Sequence, residues 1–134
     1  TITICLNKMM KLYAFLFINM LSMVSLPIQA NNLDSVAIHA TEKSRWAITV
    51  GDKHLFIKSF ELIVTQLSKD SIDLSEHCFK AYTTDQNEYD LDSVDEVLST
   101  GVLIFGKSIR GVVSFSSDEE HIHKASLVRI TKNC

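Results

Sequence analysis

Apolar and polar residues alternate at Val36, Ile38 and Ala40, and again at Trp46, Ile48 and Val50, just before Gly51-Asp52. Alternation of period two buries one face of an extended strand, because successive side chains point to opposite sides. Gly51-Asp52 is suited to reversing the chain into a further run from His54 to Lys58. The stretch therefore predicts two or three antiparallel strands.

The later segments are shorter and mixed. Phe60, Ile63, Val64 and Leu67 fall at helical spacing behind Ser59, a suitable N-cap, although Leu62 and the β-branched content also suit a strand; a helix is expected. Cys78 to Thr84 alternates again, with Phe79 and Ala81 on one face. Asp85 to Asp90 reads as a polar loop. Ser93-Val94-Asp95-Glu96 matches a capping box, which predicts a short helix through Leu98 that Gly101 ends. Val102 to Phe105 and Val112 to Phe115 read as strands around Gly106 to Gly111, and Ala125 to Thr131 as a last strand. The sum is an α+β fold, an antiparallel β-sheet with one or two short helices, with an all-β sandwich as the alternative.

Residues 1–30 differ in kind from the rest. They carry Lys8 and Lys11, no acidic residue, and an apolar run from Leu12 to Leu26 that ends near Pro27-Ile28-Gln29-Ala30. A basic start, an apolar stretch and a small exit residue are the parts of a secretory signal peptide. The run is short for a membrane span, which takes about twenty apolar residues, so it is expected to be removed, leaving no stable membrane insertion. Residues 1–8 then lie upstream of a start at Met9 or Met10. One mature exported domain, 31–134, is expected, periplasmic or secreted. It contains no repeat, no low-complexity tract and no proline.

Export into an oxidising compartment makes Cys78 and Cys134 a disulfide pair, since small domains benefit most from such a cross-link. The bridge ties the last residue to the middle of the chain, and on the loop-entropy model contributes about 4 kcal/mol. The whole chain has a formal charge of −3, and loss of Lys8 and Lys11 makes it about −5. An acidic surface excludes nucleic acid and anionic lipid as partners and favours a basic protein.

Several motifs have a chemical and a plain reading. Gly101-Val102-Leu103-Ile104-Phe105-Gly106-Lys107-Ser108 fits the phosphate-loop pattern letter by letter. Four consecutive bulky apolar residues cannot form the open turn whose N–H groups cradle phosphate, and no helix is predicted next. His121 and His123 would share a face in an extended segment, beside Asp118, Glu119 and Glu120. Two histidines fall short of the three or four ligands of a dedicated metal site, so no metal or other cofactor is expected. His39, His54 and His77 stand without partner motifs. A calcium loop starting at Asp85 would have Tyr89 at its fifth position and Asp90 at its sixth, where oxygen and glycine are needed.

Asp85 to Glu96 holds six acidic residues in twelve positions, and no Lys or Arg occurs between Lys80 and Lys107. Tyr82, Asp85, Glu88, Tyr89, Asp90 and Asp92 are the candidate partner-binding residues, the tyrosines as amphipathic anchors and the carboxylates steering a basic partner. No nucleophile elbow, zinc-protease helix or cysteine–histidine pair is present, and no catalytic residue is assigned. The expected function is a non-enzymatic exported recognition domain, an immunity protein or inhibitor that occludes another protein. A small exported hydrolase and a structural or adhesive subunit are the alternatives.

Overall fold

The computed structural model describes residues 32–134; the signal-peptide expectation for 1–30 lies outside the described residues. A 3-10 turn, η1 (Asn32–Ser35), leads into a long hairpin of β1 (Val36–Val50) and β2 (Lys53–Gln66). Gly51 has φ +62° and occupies the first central position of the two-residue turn. A left-handed first position followed by a right-handed second one matches the right-handed twist of the flanking strands.

After β2 come β3 (Ile72–Asp73), η2 (Leu74–Glu76), β4 (Cys78–Tyr82), β5 (Glu88–Tyr89) and β6 (Leu91–Val94). The chain continues through helix α1 (Glu96–Ser99), β7 (Val102–Leu103), β8 (Ser108–Ser117), η3 (Glu120–Lys124) and β9 (Leu127–Thr131). Three sheets form, in the orders β1-β2-β8-β6, β5-β4-β9 and β3-β7, with every pair antiparallel. The protein is thus mostly antiparallel β-sheet, and its helical content is minor.

The helix expected from Phe60 to Leu67 is a strand. Phe60, Leu62, Val64 and Gln66 are buried on one face of β2, and Glu61, Ile63 and Thr65 are half-buried on the other. β2 is paired along both edges, by β1 and by β8, so its backbone groups are satisfied in the sheet and its β-branched residues pack on the pleated surface. The predicted capping box also fails. Ser93 belongs to β6, where it pairs with Ser114, and Asp95 carries the ladder one step further: its carboxylate accepts from Val112 N–H at 2.7 Å. Only one turn of helix remains before Thr100 and Gly101. Val102 to Phe105 is strand only at its first two residues; Ile104 and Phe105 are exposed in the turn that Gly106 closes at φ +74°.

One core is shared by the two larger sheets. Phe60, Leu62 and Val64 of β2 and Val113 and Phe115 of β8 belong to the same buried cluster as Phe79 and Ala81 of β4 and Val128 and Ile130 of β9. The Phe60 and Phe115 rings meet edge to face with centroids 6.0 Å apart, a geometry adding roughly 0.5–1.5 kcal/mol to their burial. Gly111 lies opposite Leu62, where α1 approaches so closely that a Cβ would stand 2.8 Å from Leu98 Cγ. The disulfide forms as expected, with Cα atoms of Cys78 and Cys134 5.9 Å apart, and ties the start of β4 to the chain beyond β9.

The register of β1 shifts between Glu42 and Ser44, leaving Lys43 as an extra residue in a β-bulge. Val36, Ile38 and Ala40 pair with even-numbered residues of β2, on the core side. Trp46 and Ile48 instead pair with Ile57 and Leu55, on the opposite face. The two alternating triads keep one parity in sequence, yet the bulge places them on different faces.

Candidate functional site

The acidic segment begins where β4 ends. Thr83, Gln86 and Asn87 close a tight turn through Gln86 N–H to Thr83 C=O at 3.0 Å and Asn87 N–H to Thr83 Oγ1 at 3.0 Å. Gln86 adopts φ +67° there, a left-handed conformation for a non-glycine residue. Asp85, Glu88, Asp90 and Asp92 are exposed. Lys80 of β4 reaches two of them, Glu88 at 3.6 Å and Asp90 at 3.9 Å, so the segment is less bare of cations than its sequence.

Tyr89 is not available as the amphipathic anchor that the sequence suggested. Tyr89 is 6% exposed, because β5 pairs Tyr89 with Ala81 and turns its ring into the core. Its hydroxyl has no hydrogen-bond partner among the described residues. Burial, and then the charges of Glu119 and Asp85, push the phenol above its usual range. Tyr82 is half-buried, with the Arg129 guanidinium 5.1 Å over its ring.

The fold gathers further carboxylates at this segment. Asp92 accepts from Ser116 Oγ at 3.4 Å, and Glu119 acts on the Tyr89 phenol. The acidic run after β8 therefore lies close to the acidic run after β4. His121 Nε2 stands 3.1 Å from both oxygens of the Asp85 carboxylate. The Thr83 hydroxyl first, and His121 second, hold that carboxyl below the usual aspartate range.

His121 and His123 do not lie on an extended segment, but both border one cleft. Their segment is the 3-10 turn η3, and residues two apart in a 3-10 turn point in different directions. The His123 ring packs edge-on against Phe56, centroids 5.6 Å apart. Among the described residues, no group of three or more histidine, cysteine or carboxylate side chains is placed to hold a metal ion.

The two imidazoles line a cleft of about 420 Å³ together with Arg45, Glu120 and Lys124. Arg45 reaches this side of the sheet because of the bulge: it pairs with Lys58, on the face that η3 covers. Behind the cleft, Lys58 is 6% exposed and donates to the carbonyls of His123 at 2.7 Å and Ala125 at 2.6 Å. Burial lowers its pKa, Glu42 opposes that shift and Arg45 adds to it. Arg45, Lys58 and Lys124 were not legible as site residues. No local signal marks Arg45, since its place at the cleft depends on one inserted residue in β1, and Lys58 meets η3 only through the fold.

The remaining histidines are separate. His39 is exposed on the outer face of β1, His54 Nδ1 lies 3.1 Å from Thr49 Oγ1, and His77 Nδ1 donates to Asp73 C=O at 2.6 Å. Between Gly101 and Gly106 the chain forms β7 and a turn rather than a phosphate loop, and the next element is strand β8 rather than a helix.

Residues 7–132 match the family model described as "Domain of unknown function (DUF4354)". The chain is also similar to the crystal structure of an ApaG protein from Pseudomonas aeruginosa PAO1, with 30% sequence identity and a TM-score of 0.69. That similarity covers 78% of this chain and 100% of the other. No curated protein matches the chain.

Proposed function

Because the chain belongs to the family described only as a domain of unknown function (DUF4354), we propose a role read from its own surface: an exported, non-enzymatic recognition domain that occludes a basic protein, as an immunity protein or inhibitor does. On this reading the frame, two sheets over one core, is a β-sandwich. What supports the reading is the gathering of carboxylates from two separate stretches, Asp85 to Asp92 and Asp118 to Glu120, linked by the His121–Asp85 and Ser116–Asp92 contacts. Such a face raises the association rate with a basic partner and makes that rate fall with salt. The Cys78–Cys134 cross-link limits the loss of conformational entropy on binding.

The test is affinity capture from an envelope extract at low and high salt, with the wild-type protein and with the triple variant Glu88→Gln, Asp90→Asn, Asp92→Asn. One basic protein, released by salt and held at least about tenfold more weakly by the variant, supports the reading. Capture that is unchanged by the three substitutions, or no capture at either salt, overturns it.

A second reading, a subunit whose sheet is completed by another chain, draws on β1, which is an edge strand of 15 residues. The bulge at Lys43 and the charges of Glu42, Lys43 and Arg45 guard the middle of this edge, whereas Trp46 to Val50 is uncharged and exposed. Sedimentation that stays monomeric over a wide concentration range removes this reading.

A further inference from the structure

We propose that the cleft between β1 and η3 binds a small oxyanion, of the sulfate or phosphate-ester class, when His121 and His123 are protonated. The lining carries four nitrogen side chains, Arg45, His121, His123 and Lys124, against one carboxylate, Glu120. Arg45 spends only its Nε on Glu42, at 3.1 Å, and the planar guanidinium keeps its terminal nitrogens for a second acceptor. Among the described residues Lys124 is in none of the salt bridges and is exposed at the rim.

His121 is oriented for this task. Its Nε2–H donates to the ionised Asp85 carboxylate, which leaves Nδ1 as an acceptor in the neutral ring and as a second donor in the imidazolium. Packing against Phe56 and the contact of Nε2 with Trp46 C=O at 3.4 Å orient the other ring, His123, and leave its Nδ1 for an anion.

The charge of the cleft follows the two histidines. On β1, Arg45 is offset by Glu42; on β2, Lys58 faces the underside of η3; on η3, Lys124 is offset by Glu120; and from the loop after β4, Asp85 faces His121. Imidazole is the side chain whose charge changes between about pH 5 and pH 8. Protonation of both rings adds two positive charges and further donors to the cleft, and anion affinity falls as the rings deprotonate.

The experiment uses sulfate, whose charge does not change over the histidine range, and follows the histidine ring resonances of the protein by NMR at mildly acidic and mildly alkaline pH. Equal ionic strength of chloride is the reference. The expected result is a saturable shift of His121 and His123 at acidic pH, at least about tenfold weaker in Arg45→Gln and in Lys124→Gln and absent at alkaline pH. Both variants change exposed side chains, so folding is not at stake. A phosphoserine tripeptide in a parallel titration distinguishes sources: tighter binding than sulfate places the anion on a partner chain, and equal binding makes it a free ion. A shift that chloride reproduces, or one that both variants retain, overturns the proposal. The acidic substitutions that test partner capture leave this cleft untouched, so the two readings fail separately.

Discussion

Replacing Lys58 with methionine keeps the length and apolar stem of the side chain and removes only the ammonium. In the fold that ammonium donates at 2.7 Å to His123 C=O and at 2.6 Å to Ala125 C=O, and so helps to fasten η3 to β2 beside the Phe56–His123 ring contact. A hydrogen bond from a charged donor contributes about 1.5–3 kcal/mol net, and each buried acceptor left without a partner costs about 1–3 kcal/mol. Against this stands the desolvation of the ammonium, the largest influence on its pKa, which the variant relieves. The balance predicts a loss of about 2–4 kcal/mol. At roughly 4–8 °C per kcal/mol for a domain of this size, Tm falls by about 8–32 °C.

The pH dependence supplies an independent check on Lys58. Its pKa is lowered in the fold from 10.5, so the unfolded chain binds this proton more tightly than the native one. Its contribution to stability therefore rises with pH through the window below 10.5 and levels off above it. Thermal melts followed by circular dichroism in that window should show this rise in the wild type and not in Lys58→Met. A change in stability below about 0.5 kcal/mol at neutral pH would refute the assignment of Lys58 as a fastening of η3.

Gly111→Ala places a Cβ 2.8 and 2.9 Å from Leu98 Cγ and Cδ1 and 3.1 Å from Val97 Cγ1, and should cost about 1–3 kcal/mol in urea unfolding, with partial recovery when Leu98→Ala is added. Cys134→Ser should lower stability by about 4 kcal/mol under oxidising conditions and match the reduced wild type, measured by the same method. Tyr89→Phe removes a buried hydroxyl without a partner and should leave Tm unchanged or raise it; a clear fall would mean that a water bonds the hydroxyl.

Local patterns carried much of the strand content. The hairpin turn at Gly51-Asp52, the inward face of β4 and the final strand β9 were readable because each rests on period-two alternation or on a residue that tolerates positive φ. The segment from Phe60 to Leu67 was misread because its apolar positions suit both periods. Pairing on both edges decided the matter, and such pairing leaves no local mark. Ser93 and Glu96 had the right spacing for a cap, but the ladder with β8 claimed Ser93 and turned Asp95 toward Val112.

The candidate site divides along the same line. Asp85 to Asp92 stood out as a charge run, and its carboxylates are exposed because desolvating them has no compensation inside the core. That Tyr89 faces inward depends on its pairing with Ala81, a partner eight residues away. Arg45 joins His121 and His123 only because one extra residue in β1 inverts the faces of everything after it.

Composition and spacing by themselves determined the antiparallel sheet and the acidic balance, since each is a property of side chains taken singly or with near neighbours, whereas the fold pairs Cys78 with Cys134 among the three cysteines of the chain. Only the tertiary structure decided which face each strand shows and which charges meet, because strand register and a bulge are set by partners far along the chain.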